Sequence, residues 1–78
     1  MITLQELHEL NFKVERNYPH DHFITNRLIK GCIRIEKTWD KLQNYKEVSC
    51  EVQIDDGEYR DINSLEDLKT LVKIFSKK

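Results

Sequence analysis

Residues 32–57, CIRIEKTWDKLQNYKEVSCEVQIDDG, decide the fold. In 32–39, Ile33 and Ile35 alternate with Cys32, Arg34 and Glu36. In 46–54, Val48, Cys50, Val52 and Ile54 alternate with Glu47, Ser49, Glu51 and Gln53. A period of two marks a half-buried strand, because successive side chains leave opposite faces of the pleat. Asp55, Asp56 and Gly57 then supply a hairpin signal, since Asp-Gly readily takes the positive φ of a primed turn. Pairing Trp39 with Lys46 sets Ile33 against Val52 and Ile35 against Cys50 on an apolar side. The same register sets Arg34 against Glu51 on a wet side, a cross-strand ion pair worth about 0.2–1 kcal/mol. Cys50 then points inward and Cys32 outward, an arrangement no disulfide can bridge. Two free thiols are expected.

Toward the N-terminus, Lys30-Gly31 marks a turn, and 22–29 forms another strand with Ile24 inward and Phe23 outward. Asn17-Tyr18-Pro19-His20-Asp21 reads as a loop. Before it, Leu4, Leu7 and Leu10 recur at helical spacing, with Thr3 and Glu6 as a capping box and Asn11 as the stop. Toward the C-terminus, 58–62 is a short fourth strand. Ser64 begins a last helix whose apolar stripe is Leu65, Leu68, Leu71, Val72 and Phe75. Glu66 and Asp67 at its start, and Lys73, Lys77 and Lys78 toward its end, complement the helix dipole. The expected fold is α+β, a two-layer sandwich in the order αββββα. A four-stranded antiparallel sheet carries the N- and C-terminal helices on one face and meets water with the other.

Seventy-eight residues make one domain, 1–78, whose small core rests on few large side chains. Thirteen basic and 14 acidic residues give a formal charge of −1, a balance that fits neither a strongly basic nucleic-acid binder nor an acidic mimic of DNA. The first residues carry no signal-peptide pattern, and no apolar run approaches the ~18 residues that span a bilayer. Two cysteines without an export signal are expected as reduced thiols in the cytoplasm.

Candidate chemistry is sparse. His20-x-His22 is the best metal pair, but no third ligand stands at a fitting distance, and loop histidines beside a proline are ordinarily solvated. Cys32 is the exposed thiol, with His20 or His22 as a base on the neighbouring strand and Lys30 and Arg34 nearby, but a solvated strand face supplies such neighbours by chance. Asp55, Asp56 and Glu58 cluster at a turn that cannot desolvate them. No catalytic residue, metal or cofactor is assigned. The expected function is non-enzymatic protein binding through the open sheet face, with Phe23, Arg34, Glu36, Glu51, Gln53 and Tyr59 as the contact surface. Homodimerisation through the edge of the first strand is a subsidiary expectation. The second reading is a single-stranded nucleic-acid binder using the same face. Arg27, Lys30, Arg34, Lys37, Lys41 and Lys46 would supply charge, and Phe23, Tyr45 and Tyr59 stacking.

Leu4-x-x-Leu7-x-x-Leu10-x-Phe12, Trp39, Val52-x-Ile54-Asp55-Asp56-Gly57 and Ile62-x-Ser64-Leu65-x-x-Leu68-x-x-Leu71 together resemble small uncharacterised α+β proteins of Bacteroidota-type genomes and their phages. The resemblance covers most of the chain through core and turn positions and transfers no site residue. It implies a mobile-element context, in which short cytosolic proteins act by binding and blocking a host defence protein, as anti-CRISPR inhibitors do.

Overall fold

The computed structural model describes residues 2–75. Lys77 and Lys78, expected near the end of the last helix, lie outside the described residues. The order is α1 (Leu4–Glu9), β1 (Lys13–His20), β2 (Phe23–Lys30), β3 (Ile33–Asp40), a 3-10 turn (Lys41–Gln43), β4 (Lys46–Ile54), β5 (Arg60–Asp61) and α2 (Leu65–Phe75). The strands form one antiparallel sheet in the order β1-β2-β3-β4-β5, so each pairs with its neighbours in the chain.

The sheet therefore has five strands where four were expected. The added one is β1, which includes the stretch read as a loop. Pro19 is compatible with it because β1 is an edge, where a missing N–H costs no ladder bond on the outer side. Asp21, at φ 53, and His22 form the two-residue connection to β2, with His20 opposite Phe23. This also corrects the expected dimer edge. The strand beginning near residue 22 is interior, flanked by β1 and β3, and has no edge to offer.

The helix caps form as the sequence indicates. The Thr3 hydroxyl accepts from the Glu6 N–H at 3.1 Å, while the Glu6 carboxylate accepts from the Thr3 N–H at 2.9 Å. Asn11 turns left-handed at φ 70 to end the segment. The Ser64 hydroxyl accepts from the Asp67 N–H at 3.2 Å at the start of α2.

Leu7 of α1 and Leu68 of α2 are fully buried with Leu28, Ile33 and Ile35, so both helices cover the same side of the sheet. Ile2, Phe12, Cys50, Val52 and Ile62 complete this core. Leu4 and Phe75, assigned to the two apolar stripes, are exposed instead, because α1 is one and a half turns long and Phe75 ends α2.

Register departs from expectation by two residues. Ile33 faces Ile54 and Ile35 faces Val52, while Arg34 faces Gln53 and Glu36 faces Glu51. Because the shift is even, every residue of that stretch keeps its face. The Arg34–Glu51 ion pair does not form. Arg34 instead donates from Nη1 to the Gln53 side-chain oxygen at 2.6 Å. A bulge between Thr38 and Trp39 places Val48 out of step with Cys50, which leaves Val48 exposed where an inward position was expected.

The β2–β3 turn falls at Gly31-Cys32, with Gly31 at φ 60, one position beyond Lys30-Gly31. Cys32 is thus half-buried in a turn and its thiol donates to the Phe75 carbonyl at 3.7 Å, so it is not the solvated strand position expected. Residues 55–59 form a wider connection than a primed hairpin, and β5 shrinks to two residues. The positive φ falls at Asp55, not Gly57.

Among the described residues, the covered side holds one fully buried charge. Lys37 is fully buried, and its ammonium donates to the Ile2 carbonyl at 2.6 Å, pairs with Glu47 at 2.9 Å and sits 5.3 Å from the Trp39 ring centre. It was counted among surface cations of the nucleic-acid reading, from which it is now removed. A buried ammonium is tolerable only while its partners remain. Glu47→Gln is expected to lower unfolding free energy by about 3 kcal/mol, measured by urea denaturation. Lys37→Met, which removes the charge that needs a partner, is expected to cost clearly less.

Candidate interaction face

The side of the sheet opposite the helices is built from four cross-strand rows, because residues directly opposite in a ladder share a face. One row is Ile29–Arg34–Gln53, reached on β1 by Lys13. The next spans all five strands as Arg16–Arg27–Glu36–Glu51–Asp61. Beyond it run Tyr18–Thr25–Thr38–Ser49 and then His20–Phe23–Asp40–Lys46.

Glu36 is the hub. Three donors converge on its Oε2: Arg27 Nε at 2.7 Å, the Tyr18 hydroxyl at 2.8 Å and the Tyr59 hydroxyl at 3.1 Å. Tyr59 lies in the 55–59 connection, just before β5, and reaches back across the sheet. The Arg27 guanidinium also lies 5.3 Å from the Tyr18 ring centre, and that of Arg16 5.9 Å. A second network links the His20 Nε2, the Thr25 hydroxyl and the Thr38 hydroxyl at 2.9 and 3.0 Å. With 16% of its side chain exposed, Glu36 is a fixed organising group more than a free surface charge.

These contacts set its acidity. Burial acts to raise the Glu36 carboxyl, but hydrogen bonds from Tyr18, Arg27 and Tyr59 and the Arg27 charge outweigh it and leave the pKa below the ordinary value. Tyr18 and Tyr59 move the other way: burial and the Glu36 carboxylate push both phenols up.

Of the six residues assigned to the contact surface, Arg34, Glu36, Glu51 and Gln53 lie in the first two of these rows, and Tyr59 joins them through Glu36. Phe23 stands at the far end of the face, its ring 4.2 Å from that of His22 and 6.0 Å from that of His20. Sequence reasoning missed Arg16, Tyr18 and Asp61. The first two lie on β1, hidden by reading 17–21 as a loop. The useful signal was the turn-forming Asp21 beside His22, with alternating residues on both sides. Among the described residues no group of three or more His, Cys, Asp or Glu side chains could hold a metal ion. Among the same residues no helix is long and apolar enough to cross a membrane.

The row from Arg16 to Asp61 is segregated by sign, with two guanidiniums on β1 and β2 and three carboxylates on β3, β4 and β5. Among the described residues, Glu51 and Asp61 have no ion-pair partner, although each faces another carboxylate. Like charges directly opposite are mildly destabilising, so the acidic end of the row is electrostatically unsatisfied.

A carboxyl whose pKa is depressed on folding stabilises above its unfolded value and loses that contribution as pH falls through the folded one. The wild type is therefore expected to lose stability relative to Glu36→Gln as pH drops below about 4.5, the ordinary Glu value. For Tyr18 and Tyr59, raised on folding, the contribution is present below about pH 10 and lost as pH rises through their folded values. Urea midpoints of both proteins across pH check the two limbs.

Comparison with known proteins supplies no relative: no family model, no curated protein and no solved structure matches the chain.

Proposed function

We propose that this chain is a non-enzymatic protein-binding module that acts by surface complementarity through the open face of its sheet. The observation that carries this reading is an uncovered face on which Tyr18, Tyr59 and Arg27 are already fixed by hydrogen bonds to Glu36. Tyr and Arg dominate binding hot spots, and side chains immobilised beforehand lose less entropy on association. Phe23, Arg34, Glu36, Glu51, Gln53 and Tyr59 form the contact surface, to which Arg16, Tyr18, Arg27 and Asp61 are added. The resemblance to short phage-associated proteins favours a cytoplasmic inhibitor of a host defence protein as the biological setting.

Binding of single-stranded nucleic acid is the weaker reading. Tyr18, Phe23 and Tyr59 offer rings, but the row beneath them carries three carboxylates against two guanidiniums, and Lys37 is absent from this face.

Glu51→Lys on the open face and Lys69→Glu on the exposed side of α2 separate the faces without touching the core. Affinity capture from host lysate, read by mass spectrometry, is expected to lose a specifically bound protein with Glu51→Lys and to keep it with Lys69→Glu. An identical set of captured proteins for both variants and the wild type would sink the reading. Retention of nucleic acid that falls steeply with salt would favour the weaker one instead.

A further inference from the structure

We propose that the open face docks a second copy of this chain, face to face, by a half-turn about an axis running along β3 at Glu36. The inference rests on the protein-binding reading above and names the partner for that surface.

The order of charges carries it. From β1 to β5 the row reads Arg16, Arg27, Glu36, Glu51, Asp61. A half-turn about an axis parallel to the strands turns the sheet over and reverses the strand order. β1 then lies over β5 of the other copy, and β2 over its β4. Arg16 meets Asp61 of the second copy and Arg27 meets its Glu51. Each contact occurs twice, as a two-fold interface requires. The acidic residues that face only other carboxylates within one chain thereby gain cations. Packed sheets stand ~10 Å apart with strands nearly aligned, a gap that opposed arginine and carboxylate side chains span.

The axis places three charged residues of β3, Arg34, Glu36 and Asp40, over themselves, and each is already bonded within its own copy. Asp40 accepts from the Leu42 N–H at 3.0 Å and from the Gln43 amide at 2.7 Å. Glu36 meets its counterpart, but Arg27, Tyr18 and Tyr59 already neutralise and bond it within each copy. Arg34, two residues away on the same strand, meets its own counterpart, and within each copy its Nη1 already donates to the Gln53 side-chain oxygen at 2.6 Å. In the neighbouring row Thr25 falls opposite Ser49 and Thr38 opposite itself, with no charge to oppose the approach. A foreign protein bound to the same face would have to displace the second copy.

Arg16 and Asp61 are both exposed, so each can be reversed without disturbing the core. Sedimentation velocity at low salt is expected to show the wild type at twice the chain mass, shifting toward monomer as salt rises. Arg16→Glu and Asp61→Lys should each sediment as monomers, since each places like charges together twice. An equimolar mixture of the two should recover the dimer, because position 16 of each copy then faces an opposite charge at position 61 of the other. A monomeric wild type, single variants that remain dimeric, or a mixture that stays monomeric would each overturn the proposal. A monomeric wild type combined with loss of a captured protein in Glu51→Lys would remove the second copy yet keep the open-face reading. A dimer insensitive to both variants would put self-association elsewhere on the molecule.

Discussion

A sheet covered on one side must keep strict parity: every inward residue is followed by one that faces water. The rest of this structure depends on that rule. The core forms because Ile33, Ile35, Val52 and Leu28 share a side, and the charged row forms because Arg27, Glu36 and Glu51 share the other. Parity is broken at two bulges, between Val14 and Arg16 on β1 and at Val48 on β4. Each inserts one residue and resets the alternation. The extra residues, Glu15 and Val48, both end up exposed. The bulges thus adjust the pleat at the margins without sending a core residue into solvent.

Parity also explains what could be read from the amino-acid order. The expected pairing set Ile33 opposite Val52 and Ile35 opposite Cys50. In the molecule the partners are Ile54 for Ile33 and Val52 for Ile35. Both differences are even, so the division into faces survived while the individual partners did not. Caps at Thr3 and Ser64 were legible because their chemistry is local. β1 was not, because Pro19 and its polar neighbours carry the marks of a loop, and only edge position makes them compatible with a strand. Burial of Lys37 was illegible for another reason. Its carbonyl partner is Ile2, 35 residues away in the chain, and no local pattern announces that meeting.

Glu36 and Lys37 show how the two sides solve one problem. They are adjacent, opposite in charge and point opposite ways. Glu36 gathers Arg27 and two tyrosine hydroxyls on the open side, and Lys37 gathers Glu47, the Ile2 carbonyl and the Trp39 ring on the covered side. Each charge ties strands together that the backbone ladder already joins, and each extends the tie further. Glu36 reaches Tyr18 on β1 and Tyr59 near β5, while Lys37 fastens the N-terminal segment beneath β4. Such buried or half-buried networks favour one arrangement over near alternatives, since a slipped register would strand a charge without a partner.

The up-and-down strand order also bears on how the chain reaches its native state. Every strand adds to the one made just before it, and the β1–β2 and β2–β3 connections each have two residues. Little loop entropy is lost at each closure, so the hairpins can zip up in succession with few distant segments to bring together. The exceptions are the closures that span the chain: Ile2 docks onto Lys37, Leu7 and Leu68 join the core over the sheet, and the Cys32 thiol reaches the Phe75 carbonyl. These long-range contacts need neighbouring strands that have already met, and they lock an otherwise local assembly.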